Sequence, residues 1–282
     1  MSKVAVVGAG TMGNGIAHVF AQHGWDTVLI DVSQDALDRG LETIKKNLER
    51  QVKKGAMSDA QRAGVLARIS TSMALDAAKD AEIVVEAVSE NPKVKFEVFA
   101  ALRRLTPPDT ILASNTSSIS ITELAKHTNN PARVVGMHFM NPVPVMPLVE
   151  VIRGQETSND TVERTVAFAK QLGKTPVVVQ DAPGFVSNRV LMPMINEAIL
   201  CVQEGIATAE AVDQVMTLGM KHPLGPLALA DLIGLDVCLA IMEVLQDGFG
   251  DLKYRPARLL REMVASGRLG RKSGVGFYVY RD

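Results

Sequence analysis

Between Ile111 and Val151 the chain reads ILASNTSSISITELAKHTNNPARVVGMHFMNPVPVMPLVEV. A hydroxyl-rich turn, one histidine at the end of an apolar run, a proline-punctuated loop and a glutamate between two valines fall within about forty residues. An imidazole beside a carboxylate is equipment for moving protons near neutral pH. His138 ends the run RVVGMH. In open α/β sheets, ligands bind at the carboxyl ends of strands. Glu150 lies in PLVEVI, where a buried carboxylate needs a partner. Pro142, Pro144 and Pro147 stiffen the connection between the two runs. Adjacent strands would therefore bring Glu150 to one ring nitrogen of His138, fixing the tautomer and stabilising an imidazolium. His18, His23, His127 and His222 have no such setting.

A second constellation opens the chain. Gly8-Ala9-Gly10-Thr11-Met12-Gly13 follows an apolar run and precedes a helical pattern. In a GxGxxG loop the first glycine permits a tight turn and the second lets a pyrophosphate approach the backbone. The third allows close helix–strand packing, and the helix N-terminus offers its N–H groups to phosphate. Asp31 ends the next apolar run, where a carboxylate binds adenosine ribose hydroxyls. It would repel a 2′-phosphate, and Val32, Ser33 and Gln34 supply no cation, so NAD is expected over NADP. A nicotinamide enzyme acting on an alcohol needs a base for the hydroxyl proton while hydride leaves carbon. His138 suits that role, and Ser117 and Asn188 are candidates to hold the oxygen.

Patterning indicates how these groups are positioned. Lys3–Val7, Asn14–His23 and Thr27–Asp31 form a βαβ unit of about thirty residues, which implies parallel neighbours. Helices are predicted over Gln34–Lys54, Ser58–Arg68, Pro92–Leu105 and Asp160–Leu172. Ser120–Lys126 is predicted as a short helix with a Ser120/Glu123 capping box. Strands are predicted over Ile69–Met73, Ala81–Val88, Thr110–Ser114, Arg133–His138, Pro147–Ile152 and Pro176–Val179. After Pro183-Gly184 the pattern becomes helical: Val186–Glu204, Thr208–Leu218, Pro226–Leu245 and Ala257–Ser266. A Rossmann-like α/β domain over 1–182 and an all-helical domain over 183–282 are expected. The apolar breadth of Pro226–Leu245 suggests that a second copy supplies part of its cover.

Composition narrows the class. A chain of 282 residues, 47% apolar, can bury sizeable cores in one large or two ordinary domains. A net charge of -1 argues against nucleic acid or anionic membrane as main partner. No apolar run approaches the roughly 20 residues of a spanning helix. The N-terminus reads as a strand feeding a glycine loop and not as a signal peptide. Cys201 and Cys238 lie far from any metal spacing and read as apolar thiols in a reducing cytosol, so a cytoplasmic protein without bound metal is expected.

Taken with SNTSS, HFMNPVPVMPLVEV, DAPGFVSNR, HPLGPLALADLIGLD and GRKSGVGFYVY, these residues resemble the 3-hydroxyacyl-CoA dehydrogenase family over nearly the whole chain. Size and architecture are similar to its short, stand-alone bacterial members. The resemblance implies a catalytic set of Ser117, His138, Glu150 and Asn188, nicotinamide-side contacts at Glu90, Lys95 and Asn141, and CoA contacts at Asn47 and Lys54. Asn47 stands where some members have serine. The basic stripe Lys45, Lys46, Arg50, Lys53 and Lys54 would suit the CoA phosphates. The resemblance further implies an acyl-CoA substrate, (3S) handedness, a helical dimerisation domain giving a homodimer, and a cleft that closes on the substrate. Two rivals stand beside it. One is a dehydrogenase of small free hydroxy acids, which commonly uses a lysine as its acid–base group. The other is a non-catalytic, crystallin-like protein on the same scaffold.

Asp31 should set the cofactor preference. The KM for NADH is expected to lie below that for NADPH, and a lower KM with NADPH would overturn it.

Overall fold

Five residues of sequence, KVAVV, start the architecture: an apolar β-branched run that ends on a glycine and is buried on both faces from Val4 onward. The structure, a computed structural model, describes residues 2–280. The chain divides into two compact units, Met1–Ala182 and Pro183–Asp282.

In the first unit the elements run β1 (Lys3–Val7), α1 (Thr11–Gln22), β2 (Asp26–Ile30), α2 (Gln34–Lys53), α3 (Asp59–Ala67), β3 (Ile69–Ser72), β4 (Ile83–Glu86) and α4 (Pro92–Leu105). They continue with β5 (Ile111–Ser114), α5 (Ile121–Ala125), β6 (Val134–Phe139), β7 (Leu148–Arg153), α6 (Asn159–Gln171) and β8 (Thr175–Gln180). The strands form an eight-stranded sheet in the order β3-β2-β1-β4-β5-β6-β7-β8. Every neighbouring pair is parallel except β6 and β7. Strand order reverses between β1 and β4, the kind of switch point where doubly wound sheets bind ligands. Trp25 joins α1 to α6, meeting Phe20 and Phe168 edge-to-face at 5.4 and 5.2 Å. Gly136 sits where a side chain would collide with Ile152 on β7, so β6 and its neighbour approach closely.

The second unit is helical: α7 (Ser187–Gln203), α8 (Ala209–Gln214), α9 (Pro226–Ile233), α10 (Leu235–Phe249) and α11 (Arg258–Ala265). Its core gathers Met192, Ile195, Ile199, Leu227, Leu235, Met242, Leu245 and Leu260. Two buried aspartates tie its ends. Asp213 accepts the backbone N–H groups of Leu227 and Ala228 and the Tyr278 hydroxyl. Asp231 accepts from the backbone of Phe277 and Tyr278 and from the Tyr280 hydroxyl. Cys238 is buried, and burial, reinforced by Asp236 and Asp231, pushes its thiol up to about 12. It stays protonated at neutral pH.

Three expectations change. The helix expected over Pro226–Leu245 is two helices, broken at Gly234. That residue has φ of 105°, a conformation that side-chain-bearing residues rarely adopt. Its N–H closes α9 on the Ala230 carbonyl while its own carbonyl accepts from Cys238 in α10. The helix expected to run to Leu218 is α-helical only to Gln214, and Val215–Gly219 forms a π-turn. The Ser120 hydroxyl does accept the Glu123 N–H, but the Glu123 carboxylate meets Lys126 at 2.5 Å. The reciprocal capping box occurs instead at Ser58 and Gln61.

His18 is wholly buried on α1, beside Gln22 and Gln51. Burial holds its pKa down, from 6.5 to about 4, against the Gln22 hydrogen bond, which raises it. The folded form therefore resists a proton that the unfolded chain accepts. Between pH 6.5 and 4 the unfolded state binds more protons, and stability falls as pH falls; the full effect is about 3 kcal/mol. His18→Gln is expected to remove about that much of the difference in unfolding free energy between pH 7 and pH 4, read by urea titration at both. An undiminished difference would show that His18 is not its source.

Candidate active site

The glycine loop leaves β1 at the switch point. Gly8 has φ of 105°, and a Cβ there would lie 2.4 Å from the Ala87 carbonyl oxygen beyond β4. A Cβ on Gly13 would lie 1.7 Å from the Gly8 oxygen, so the first turn of α1 folds directly onto the loop. At Gly10 a Cβ would meet nothing within 4 Å: the space in front of the loop is open. A cavity of about 240 Å³ adjoins it, lined by Gly10, Thr11, Asn14, Arg39 and Thr43 among others. Met12, half-buried, packs back on the core. The Asp31 carboxylate accepts the Ala9 N–H at 2.8 Å and the Ser33 N–H at 3.0 Å. Each oxygen keeps a second lone pair for a hydroxyl ligand. Helix α2 is capped by Ser33, so Asp31 is not its cap. Open space before Gly10, a first turn of α1 with no side-chain cap and the fixed carboxylate fit a dinucleotide. Arg39 was not singled out from sequence; only the packing of α2 on the loop, through Gly40, brings it there.

His138 and Glu150 face each other in the antiparallel register of β6 and β7. Directly opposed residues in such a pair project to the same face. The ring Nδ1 lies 2.8 Å from Glu150 Oε2, with His138 8% and Glu150 2% exposed. A carboxylate can only accept, so Nδ1 carries the proton and donates, and the neutral ring has its basic lone pair at Nε2. The end of β6 is pinned to that of β5, since the Phe139 N–H donates to Asn115 Oδ1 at 2.9 Å. The connection between β6 and β7 is held from β8's side by Lys174, whose ammonium donates to the Val143 and Met146 carbonyls at 2.6 and 2.8 Å. Burial lowers the Lys174 pKa.

Ser117 belongs to the turn after β5, and this turn hangs on Glu90. One Glu90 oxygen accepts from the Thr116 hydroxyl at 2.5 Å, the Ser117 N–H at 2.8 Å, the Ser118 N–H at 3.1 Å and the Ser118 hydroxyl at 2.9 Å. Burial raises the Glu90 pKa, but the Lys95 cation and these donors outweigh it and hold it below the ordinary carboxylate value. Lys95 itself is only 1% exposed. Its ammonium contacts Glu86 at 2.6 Å, Glu90 at 3.3 Å and the Val88 carbonyl at 3.4 Å.

The other sequence candidates are distributed as follows. Asn141 is exposed just beyond β6. Asn47 is half-buried on α2, accepting from Arg50 at 3.4 Å, and Lys54 is exposed at the helix end. Asn188 is buried near the start of α7 in the second unit. Sequence reasoning missed Glu86, Asn115, Lys174 and Asp181. Asp181 gathers the Ser120 hydroxyl with the Thr122 N–H and hydroxyl. A charged residue inside an apolar run, as in IVVE, was the available signal for Glu86. Among the described residues no helix is long and apolar enough to cross a membrane.

Comparison with known proteins gives concordant matches. Residues 3–182 match the family model described as 3-hydroxyacyl-CoA dehydrogenase, NAD binding domain, and residues 184–280 the one described as 3-hydroxyacyl-CoA dehydrogenase, C-terminal domain. The chain is 57% identical to the probable 3-hydroxybutyryl-CoA dehydrogenase of Bacillus subtilis, with 100% of this chain and 98% of the relative covered. It is 51% identical to the 3-hydroxybutyryl-CoA dehydrogenase of Bradyrhizobium diazoefficiens, over 100% of this chain and 96% of that one. Among solved structures, (S)-3-hydroxybutyryl-CoA dehydrogenase PaaH1 from Ralstonia eutropha superposes with a TM-score of 0.97 at 51% identity, covering 100% of both chains.

Proposed function

The chain belongs to the 3-hydroxyacyl-CoA dehydrogenase family and is an NAD-dependent oxidoreductase; from that premise we propose that it interconverts short (3S)-3-hydroxyacyl-CoA and 3-oxoacyl-CoA, with 3-hydroxybutyryl-CoA and acetoacetyl-CoA as the pair. The observation that carries the assignment is the 2.8 Å bond from His138 Nδ1 to Glu150. It leaves Nε2 as the proton acceptor for a substrate hydroxyl. Once Nε2 takes the proton, the ring becomes an imidazolium, and the buried Glu150 carboxylate stabilises it. In the reverse direction the imidazolium returns the proton to the forming alcohol. Ser117 and Asn188 position the reacting oxygen.

NAD, held by Gly8, Gly10, Thr11, Met12, Gly13 and Asp31, supplies the hydride acceptor when bound. Glu90, Lys95 and Asn141 serve the nicotinamide side, Lys95 acting through Glu90. Asn47 and Lys54 serve the CoA moiety. A lysine-based acid–base centre for free hydroxy acids finds less support. The two buried lysines of the first unit are engaged, one by carboxylates and one by carbonyls. We place the enzyme in the cytoplasm as a homodimer formed through residues 183–282. Exposed apolar side chains in that unit, among them Val190, Ile206, Leu218 and Leu232, support this contact.

Purified protein is expected to oxidise NADH with acetoacetyl-CoA and not with acetoacetate; the opposite preference would overturn the substrate class. His138→Gln should lower kcat by roughly 10²–10⁴ fold, and near-full activity would remove His138 from the base role. For Glu150→Gln the expectation is a large loss of kcat with a modest change in KM. An unchanged kcat and pH–rate profile would rule out the dyad.

A further inference from the structure

Glu86 is wholly buried at the end of β4, opposite Ser114 in the parallel register with β5. A buried carboxylate is costly unless each oxygen is paired. Here Oε1 takes the Lys95 ammonium at 2.6 Å and the Val88 N–H at 2.7 Å, while Oε2 takes the Ser114 hydroxyl at 2.6 Å. Both partners lead to the same place. The Ser114 oxygen accepts the Thr116 N–H at 3.2 Å. The Lys95 cation reaches Glu90, which gathers Thr116, Ser117 and Ser118. The turn that carries Ser117 is thus gripped from two directions, and the two grips meet in one carboxylate.

We propose that Glu86 is a positioning residue for the substrate-side turn Thr116–Ser118, acting through Ser114 on one arm and through Lys95 and Glu90 on the other. The inference rests on the role assigned above to Ser117. It explains why a lysine and a glutamate are enclosed at this strand end. Their pairing leaves Glu90 with the cluster's net negative charge, so that it accepts several donors at once. An amide at position 86 would reverse one arm. Its NH2 group would face Ser114, whose hydroxyl proton would lose its acceptor, and Lys95 would be balanced by Glu90 alone.

Glu86→Gln and the milder Ser114→Ala are the test variants, each alone and combined with Ser117→Ala. Each is expected to lower kcat for acetoacetyl-CoA reduction roughly ten- to hundredfold, as misplacement of a reacting group does. In the Ser117→Ala background each should cost no more than about twofold, because neighbours acting through one group do not add. Independently of activity, hydrogen–deuterium exchange of the Thr116–Ser118 amides should accelerate in both variants while the amides of β6 keep their protection. Losses that multiply with Ser117→Ala, or exchange that is unchanged at the turn, would overturn the proposal. If Glu86→Gln does not fold, Ser114→Ala decides by the same two readings. A wild-type enzyme inactive on acetoacetyl-CoA would count against the reaction, and the exchange measurement would still decide the role of Glu86.

Discussion

An ionised carboxylate withdrawn from water must be neutralised or multiply hydrogen-bonded, and the first unit of this protein is organised around two such groups in its sheet. Glu150 sits in the middle of β7 and Glu86 at the end of β4, both essentially inaccessible to solvent. Each compels its neighbours. Glu150 requires a donor across the strand pair and finds the imidazole of His138. Glu86 requires a cation and a hydroxyl, and draws in Lys95 from α4 and Ser114 from β5. Removal of one partner from such a pair leaves an uncompensated buried charge, which costs several kcal/mol. Satisfying these charges braces the carboxyl ends of β4 and β5 against each other and β6 against β7. A site that handles protons and orients an oxygen needs that rigidity more than it needs extra binding energy.

The features legible in the sequence were those whose partners are close in the chain or whose backbone demands are specific. GAGTMG after an apolar run signals a loop whose glycines answer to close contacts at Gly8 and Gly13 and face open space at Gly10. Asp31 follows from its place at a strand end. The change of texture at Pro183-Gly184 marks where short apolar runs give way to helical periodicity. The features that stayed hidden depend on register or on long sequence separation. Glu86 and Ser114 are 28 residues apart and meet only because β4 and β5 pair in one alignment. Lys95 enters the sequence reading only through the family resemblance, and its burial against that strand end comes with the packing of α4. Arg39 acquires its position from the depth of a groove at Gly40. The break at Gly234 was missed because hydrophobicity continues through it, and composition carries no trace of a positive φ.

The two units solve similar problems with different chemistry. In the α/β unit, buried charge is met by opposite charge and by hydroxyls near the strand ends. In the helical unit, Asp213 and Asp231 are met by backbone N–H groups and by tyrosine hydroxyls from the chain's final residues. Tyr278 and Tyr280 are correspondingly held protonated by burial and by those aspartates, well above the ordinary phenol value for Tyr278. Charge placed on a helix and answered from the C-terminal segment makes that segment integral to the core. Gly270 and Gly276 leave the room this closure needs, since a side chain at either would strike Asp231.

The single antiparallel step in the sheet constrains the length of the connection that makes it. Side chains on a strand alternate between faces, so the pairing of His138 with Glu150 has a parity as well as a distance. A slip of one residue between β6 and β7 would turn the carboxylate to the opposite face of the sheet and leave the imidazole opposite a valine. The segment from Met140 to Pro147 therefore acts as a counter. Any change in its length must be taken up within the bend, because neither strand can absorb an odd residue and keep the dyad. Proline-rich composition and the Lys174 grip on the Val143 and Met146 carbonyls lock that count in place.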